Sequence, residues 1–273
     1  MNIPQIKLND GNTIPQLGLG MWRVDDDDAA NVILKALEIG YRSIDTAAIY
    51  KNEKGIGRAL ARASLPRSEL FITTKLWNSE HGNAALALRE SLDRLGLAYV
   101  DLYLIHWPAP QQNRYVETWR QMIELQRSGL TRSIGVSNFT EAHLKRLFEE
   151  TNVAPVLNQI ELHPTFQQKA IRKFHVTHEI VTESWRPLGQ GKDLKLPVVQ
   201  ELAARYSKTP AQIVLRWHVQ NDLIVIPKSV TLERIRENSA IFDFVLTDDE
   251  MKKLAALDAN ERMGPDPDVF SML

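Results

Sequence analysis

The chain has 273 residues, 44% hydrophobic and 25% charged, a balance that supports a large buried core and excludes disordered and fibrous classes. Lys and Arg number 33 against 34 Asp and Glu, so no net field favours nucleic acid or an anionic membrane. Cysteine is absent, which excludes disulfides, thiol nucleophiles, iron–sulfur clusters and thiolate zinc sites and leaves any redox compartment open.

The opening Met1-Asn2-Ile3-Pro4-Gln5-Ile6-Lys7 has no basic region followed by an apolar one, and no run of ~18 apolar residues occurs; a soluble, cytoplasmic protein is expected. Residues 6–8 and 13–15 flank Asn9-Asp10-Gly11-Asn12 and read as a small hairpin capping one end of the fold. Apolar strand-like runs then alternate with amphipathic helical stretches: strand 16–20 with helix 28–39, 42–45 with 53–63, 70–75 with 84–95, 100–106 with 115–127, 131–138 with 141–150, 156–161 with 168–178, 180–185 with 197–206 and 210–219, and 223–228 with 232–238. These are eight strand–helix units, mostly ~25 to 30 residues apart, the length of a right-handed crossover between parallel strands. The pattern predicts an α/β chain folded as one (β/α)8 TIM barrel domain over residues 1–273, with the N-terminal hairpin, a C-terminal helix at 247–257 and an ordered tail. An open doubly wound sheet is the alternative. Its dinucleotide fingerprint is missing, because Gly18-Leu19-Gly20 runs on to Arg23 and Gly55-Ile56-Gly57 to Leu60, where a third small residue is needed.

Seven of the apolar runs end in polar or ionisable residues: Asp45, Lys75, His106, Ser137-Asn138, Gln159, Glu183 and Lys228. In a parallel barrel the active site is built at these carboxyl ends. If Asp45, Lys75 and His106 leave successive strands on one face, Tyr50 can fold back over the same mouth. The carboxylate would keep Lys75 charged, and that charge would lower the cost of taking the proton from a phenol that otherwise titrates near ~10. An imidazole alongside can orient a substrate oxygen. The set supplies a proton and an orientation but no electrons, so carbonyl reduction requires a hydride from a cofactor. Taken singly, Asp45 also reads as a turn residue, Lys75 as a surface lysine and His106 as a core histidine. A Schiff-base aldolase would need Lys75 neutral, which Asp45 opposes; a nucleotide-binding sensor without turnover is a third reading.

The segments Ile44-Asp45-Thr46-Ala47-Ala48-Ile49-Tyr50, Phe71-Ile72-Thr73-Thr74-Lys75-Leu76-Trp77, Asp101-Leu102-Tyr103-Leu104-Ile105-His106-Trp107-Pro108 and Gly135-Val136-Ser137-Asn138-Phe139 resemble the signatures of the aldo-keto reductases. The resemblance runs over essentially the whole chain, through Asn158-Gln159-Ile160-Glu161-Leu162-His163-Pro164 and Ile226-Pro227-Lys228-Ser229. Within that family the chain is most similar to bacterial 2,5-diketo-D-gluconate reductases, in Pro187-Leu188-Gly189-Gln190-Gly191 and Lys208-Thr209-Pro210-Ala211-Gln212 among others. Its tail, Gly264-Pro265-Asp266-Pro267-Asp268-Val269-Phe270, also resembles trypanosomatid prostaglandin F synthases. The resemblance implies Tyr50 as general acid, Lys75 as its pKa-lowering partner, Asp45 as the anchor of Lys75 and His106 as the substrate-orienting group. It also implies a monomer.

Residues 226–230 leave the last strand and enter a helix at Thr231, whose free N–H groups suit an anion. Arg234, Glu237 and Asn238 share one helix face while Arg236 points the opposite way; a solvated face would look the same. The resemblance implies that Lys228, Ser229, Val230 and Arg234 clamp a 2'-phosphate, that Glu237 and Asn238 meet the adenine, and hence that the cofactor is NADPH. It further assigns Ser137, Asn138 and Gln159 to the nicotinamide carboxamide, Trp185 to the nicotinamide ring, and Leu188, Gly189, Gln190 and Gly191 to a loop whose backbone approaches the pyrophosphate. Arg186 stands where a small residue is usual. Trp22, Trp77 and Trp107 would wall a pocket for a small carbonyl, with the tail closing over it. Asp25 to Asp28 read as a dipole-complementing helix start, and His175 and His178 as structural, since no third metal ligand is near. Glu183 is left without a role. The expected partner is a small-molecule carbonyl substrate, with no metal, nucleic acid or membrane.

Overall fold

The computed structural model describes residues 3–273; Met1 and Asn2, the start of the opening stretch, lie outside the described residues. Strands β1 (Gln5–Lys7) and β2 (Thr13–Pro15) form the antiparallel hairpin. Eight further strands follow: β3 (Leu19–Gly20), β4 (Ser43–Asp45), β5 (Phe71–Leu76), β6 (Val100–Ile105), β7 (Thr131–Ser137), β8 (Leu157–Glu161), β9 (Val181–Trp185) and β10 (Ile224–Val225). They pair in sequence order, each parallel to the next. The ends of the sheet meet through a parallel bridge between Leu17 and Val225, with the Gly18 amide donating to the Val225 carbonyl and the Val225 amide to that of Gln16. The sheet therefore closes on itself, as the eight-unit repeat predicts.

The two seam strands are shorter than the expected 16–20 and 223–228. Pro227 has no N–H to donate, so one rung of the ladder is lost there, and among the described residues only the Gly20 amide, at 3.4 Å to the Pro227 carbonyl, spans the seam beyond Val225. Gly20 allows the close approach of the strands there, because a Cβ at that position would sit 2.6 Å from the Ile226 carbonyl oxygen.

The helices are α1 (Asp26–Ile39), α2 (Glu53–Arg62), α3 (Ala84–Leu95), α4 (Tyr115–Arg127), α5 (Glu141–Thr151), α6 (Lys169–Thr177), α7 (Pro197–Tyr206), α8 (Pro210–Gln220), α9 (Leu232–Ser239) and α10 (Asp248–Ala255). Local chemistry explains their ends. In α1, Ala29, Val32, Ile33, Ala36 and Leu37 form the buried stripe, and Gly40 stops the helix at φ 117°, its N–H returning to the Ala36 and Leu37 carbonyls. Thr209 and Gln212 form a capping box at α8, as Thr247 and Glu250 do at α10.

Along each barrel strand, side chains alternate between helices and barrel axis. On β6, Tyr103 and Ile105 join the core shared with the helices, whereas Leu102 and Leu104 turn inward and pack with Phe71, Leu157 and Ile224. Leu8 and Ile14 of the hairpin complete that inner cluster. Asn9 and Asn12 then reach the backbone at Pro155 and Arg132. The hairpin thus caps the amino ends of the strands and leaves the carboxyl ends open.

Candidate active site

The same alternation delivers the site. Ser43 and Asp45, then Phe71, Thr73 and Lys75, share a face with Leu102, Leu104 and, one step beyond β6, His106. On β7 to β9 the inward set includes Ser137, Gln159 and Glu183, with Ser137 beside Gln159 and Gln159 beside Glu183 in the strand register. Apolar residues fill the lower layers and polar ones the top.

At the centre, Lys75 Nζ donates to Asp45 Oδ1 at 2.6 Å and to the Thr46 carbonyl at 2.8 Å, both residues being buried. Its third N–H is left for Tyr50, whose ring centre is 5.2 Å from Nζ. Burial alone would lower the Lys75 pKa, but the Asp45 charge outweighs it and holds Lys75 above its ordinary value. A charged ammonium is not the neutral nucleophile an aldolase requires. Burial pushes the Tyr50 phenol up, and the Lys75 charge pulls it back only in part; the expected lowering is therefore an offset to burial rather than a net fall. Burial and then the Lys75 charge hold His106 well below the usual imidazole range, so it is neutral. Its ring lies edge-on to Tyr50 at 5.7 Å and to Trp77 at 5.1 Å.

From this cluster a trench of about 1060 Å³ runs outward across the exit of β10. Trp22, Tyr50, Trp77, His106 and Trp107 line its inner end, and Lys228, Ser229, Arg234, Glu237 and Asn238 its outer end. Trp77 and Trp107 are buried, whereas Trp22 is 37% exposed. Between the ends lie Ser137, Asn138, Gln159, Trp185, Leu188, Gln190 and Gly191. The Trp185 indole N–H donates to Asn138 Oδ1 at 2.8 Å, and Asn138 Nδ2 donates to the His106 carbonyl at 3.0 Å, so the two candidate nicotinamide contacts hold each other in place. Gly189 and Val230 do not line the trench. Gly189 is buried against Asp193, and Val230 projects outward, 43% exposed. Arg236 faces a separate cleft with Glu38 and Asp243, the opposite side from Arg234.

A model of the aldo/keto reductase family matches residues 16–259. The chain belongs to that family. It is 57% identical to the methylglyoxal reductase DkgA of Escherichia coli K12 over 267 residues, 97% of either chain. It is 50% identical to an aldo-keto reductase of Mycolicibacterium smegmatis, with 98% of each covered. Among solved structures, a mutant of Gox0644 in complex with NADPH matches at a TM-score of 0.95 and 49% identity over 99% of both chains.

Several residues of this reductase were not legible as site residues. Glu183 shares the Gln159 amide with Asp45, beside Lys75. Arg186, at φ +53°, lays its guanidinium over Trp22 at 5.4 Å and Trp185 at 5.2 Å, across the exit of β10, and its Nη1 is buried with no hydrogen-bond partner among the described residues. The tail closes the mouth as expected: Phe270 packs on Trp107 at 4.3 Å, and the Met272 carbonyl accepts from Asn78 Nδ2. His163 lies between Asp193 and Glu161, and Glu161 accepts the amides of Met263 and Gly264. The decoys are structural. Asp26 accepts from the Gly55 amide and pairs with Arg58. The His175 ring is held between Asn158 and Thr182, and His178 stacks on Phe174. Among the described residues no acidic, histidine or cysteine cluster could hold a metal, and no helix is long and apolar enough to cross a membrane.

Proposed function

We propose that the chain reduces small aldehydes and ketones with NADPH, methylglyoxal and 2,5-diketo-D-gluconate being the substrate types, and that Tyr50 is the general acid. One observation carries the reading: Tyr50, Lys75, Asp45 and His106 converge at the inner end of a trench whose outer end offers the cations Lys228 and Arg234. The residues fit a dinucleotide. Gly20 leaves the trench floor without a side chain, and the unpartnered Arg186 Nη1 is a donor placed midway.

Lys228, Ser229 and Arg234 would hold the 2'-phosphate, Glu237 and Asn238 the adenine, and Ser137, Asn138, Gln159 and Trp185 the nicotinamide. When bound, the nicotinamide supplies the hydride for the carbonyl carbon. Tyr50 keeps its proton in the resting site because burial penalises the phenolate, and gives it to the carbonyl oxygen as negative charge develops there. Lys75 then stabilises the phenolate left behind. Neutral His106 does not compete as an acid; with Nδ1 buried, Nε2 remains to direct the substrate oxygen. Trp22, Trp77, Trp107 and Phe270 exclude water from the reacting carbonyl. The trench draws on both Gly20 and Met272, which supports reading residues 1–273 as one barrel domain.

The test is single-turnover NADPH oxidation with methylglyoxal. Tyr50→Phe is expected to lose ~10²-fold or more in rate, the scale of a general acid, with NADPH affinity retained. A Phe variant reducing the ketone at near the native rate would remove Tyr50 from its role.

A further inference from the structure

Glu183 is buried in the middle of β9, and the chemistry derived above makes no use of it. It faces Gln159, its register partner on β8, and Gln159 Nε2 donates both to Glu183 Oε1 at 2.7 Å and to Asp45 Oδ2 at 2.8 Å. One amide group therefore bridges two carboxyls, and Asp45 in turn holds Lys75. On its other side β9 pairs with β10, where Ile224 is the register partner of Glu183 and carries no charge. The titratable groups that face Glu183 are Asp45, Lys75 and Tyr50.

Two consequences follow from this geometry. Both amide hydrogens of Gln159 are taken by carboxyls, so Oε1 is the group Gln159 has left to offer the donor of a carboxamide. The cluster also holds two carboxyls for one ammonium, and burying an uncompensated negative charge is costly. We propose that Glu183 is a positioning residue for the carbonyl reduction: it fixes Gln159 with its amide oxygen toward the nicotinamide and sets the charge that Lys75 and Tyr50 experience. The proposal rests on the reading of Gln159 as a nicotinamide contact.

Burial and then the Asp45 charge push the Glu183 carboxyl up to about 8, so it is neutral at neutral pH. Ionised, it raises the cost of removing the Tyr50 proton, and the sign is therefore definite: reduction is fastest with Glu183 protonated and falls as pH rises through about 8.

The closing experiment measures single-turnover NADPH oxidation with methylglyoxal across pH, together with NADPH affinity, for the native chain, Glu183→Gln, Glu183→Ala and Gln159→Ala. Melting curves verify that each variant is folded. With one ionisation near 8, the native rate should fall about tenfold between pH 7 and 9. Glu183→Gln keeps an acceptor oxygen and cannot ionise, so this fall should shrink to under about twofold. Glu183→Ala releases Gln159 and should weaken NADPH about tenfold, the worth of a hydrogen bond involving a charged or strongly polar partner. An alkaline fall unchanged in Glu183→Gln, or native NADPH affinity in Glu183→Ala while Gln159→Ala binds weakly, would overturn the proposal. Native affinity in Gln159→Ala would instead overturn the nicotinamide assignment beneath it.

Discussion

Replacing Asp45 by Asn removes the counter-charge of Lys75 with little change in shape, and the structure sets what that costs. The pair is 2.6 Å apart, and its side chains are 0% and 4% exposed, so water cannot substitute for the lost carboxylate. Breaking a buried pair from one side costs about 3–5 kcal/mol. Glu183 moves the expectation to the lower end. Its carboxyl is held protonated by burial and then by Asp45, and without Asp45 it can ionise and become the new counter-charge. Asp45→Asn alone should therefore cost about 3 kcal/mol, a fall of about 6–12 °C in Tm. Glu183→Gln alone removes a carboxyl that the unfolded chain ionises and the folded chain does not, so at neutral pH it should not destabilise. The double variant leaves the ammonium with neither carboxylate and should cost about 5 kcal/mol, exceeding the sum by about 2 or more.

The pH dependence adds a sign. In the native chain the folded-state pKa of Glu183 is raised, so its contribution to stability is present at low pH and is lost as pH rises toward about 8. In the double variant burial acts on Lys75 unopposed and lowers its pKa; the unfolded chain then binds more protons, and stability rises with pH. The gap between the two proteins should narrow from about pH 5 upward. Urea denaturation followed by tryptophan fluorescence at several pH values measures all of this. A cost under about 1 kcal/mol for Asp45→Asn, as for a surface pair, or strictly additive losses, would refute the reasoning.

Two predictions concern the trench. Arg234→Ala should weaken NADPH by about 10–100-fold, the worth of a charge-assisted bond, and NADH by under about twofold when measured by fluorescence titration at low salt; equal losses would take Arg234 out of the 2'-phosphate clamp. Arg186→Gly removes the guanidinium lying over Trp22 and Trp185 and should speed release of NADPH and NADH alike, by about tenfold in stopped flow. Release unchanged for both would show that Arg186 faces water only.

The barrel is legible in the sequence because both of its periods are local: alternation along strands, and strand–helix units of near-constant length. Asp45, Lys75 and His106 follow from alternation alone, being inward residues at successive strand exits. Gln159 and Glu183 obey the same rule. The role of Glu183 was nevertheless hidden, because it depends on which residue shares the Gln159 amide, a contact between Asp45 on β4 and Gln159 on β8 across the barrel axis. The seam strands read longer in the sequence than they are for a similar reason: Pro227 interrupts a ladder only because of the partner strand facing it. Gly189 and Val230 lie in a motif that matches the family, but membership in a motif does not fix which residues face the cavity. A buried Asp193 and an outward turn decide that in space.

The least local feature joins two walls of the trench. Asp193 lies in the loop that carries Gln190, Gly191 and Leu194 along one wall of the trench, and Glu161 anchors the tail that carries Phe270 and Met272 along another. His163 bonds to both carboxylates, at 3.0 Å to Asp193 and 3.3 Å to Glu161, with all three side chains fully buried. Burial alone would lower the imidazole pKa, but the two carboxylates outweigh it and raise it. A protonated ring can donate to both carboxylates at once, whereas a neutral ring has one hydrogen to give. The Gln190 loop and the C-terminal tail are therefore tied to one buried imidazole between two carboxylates, and displacement of either wall leaves that ring short of a partner.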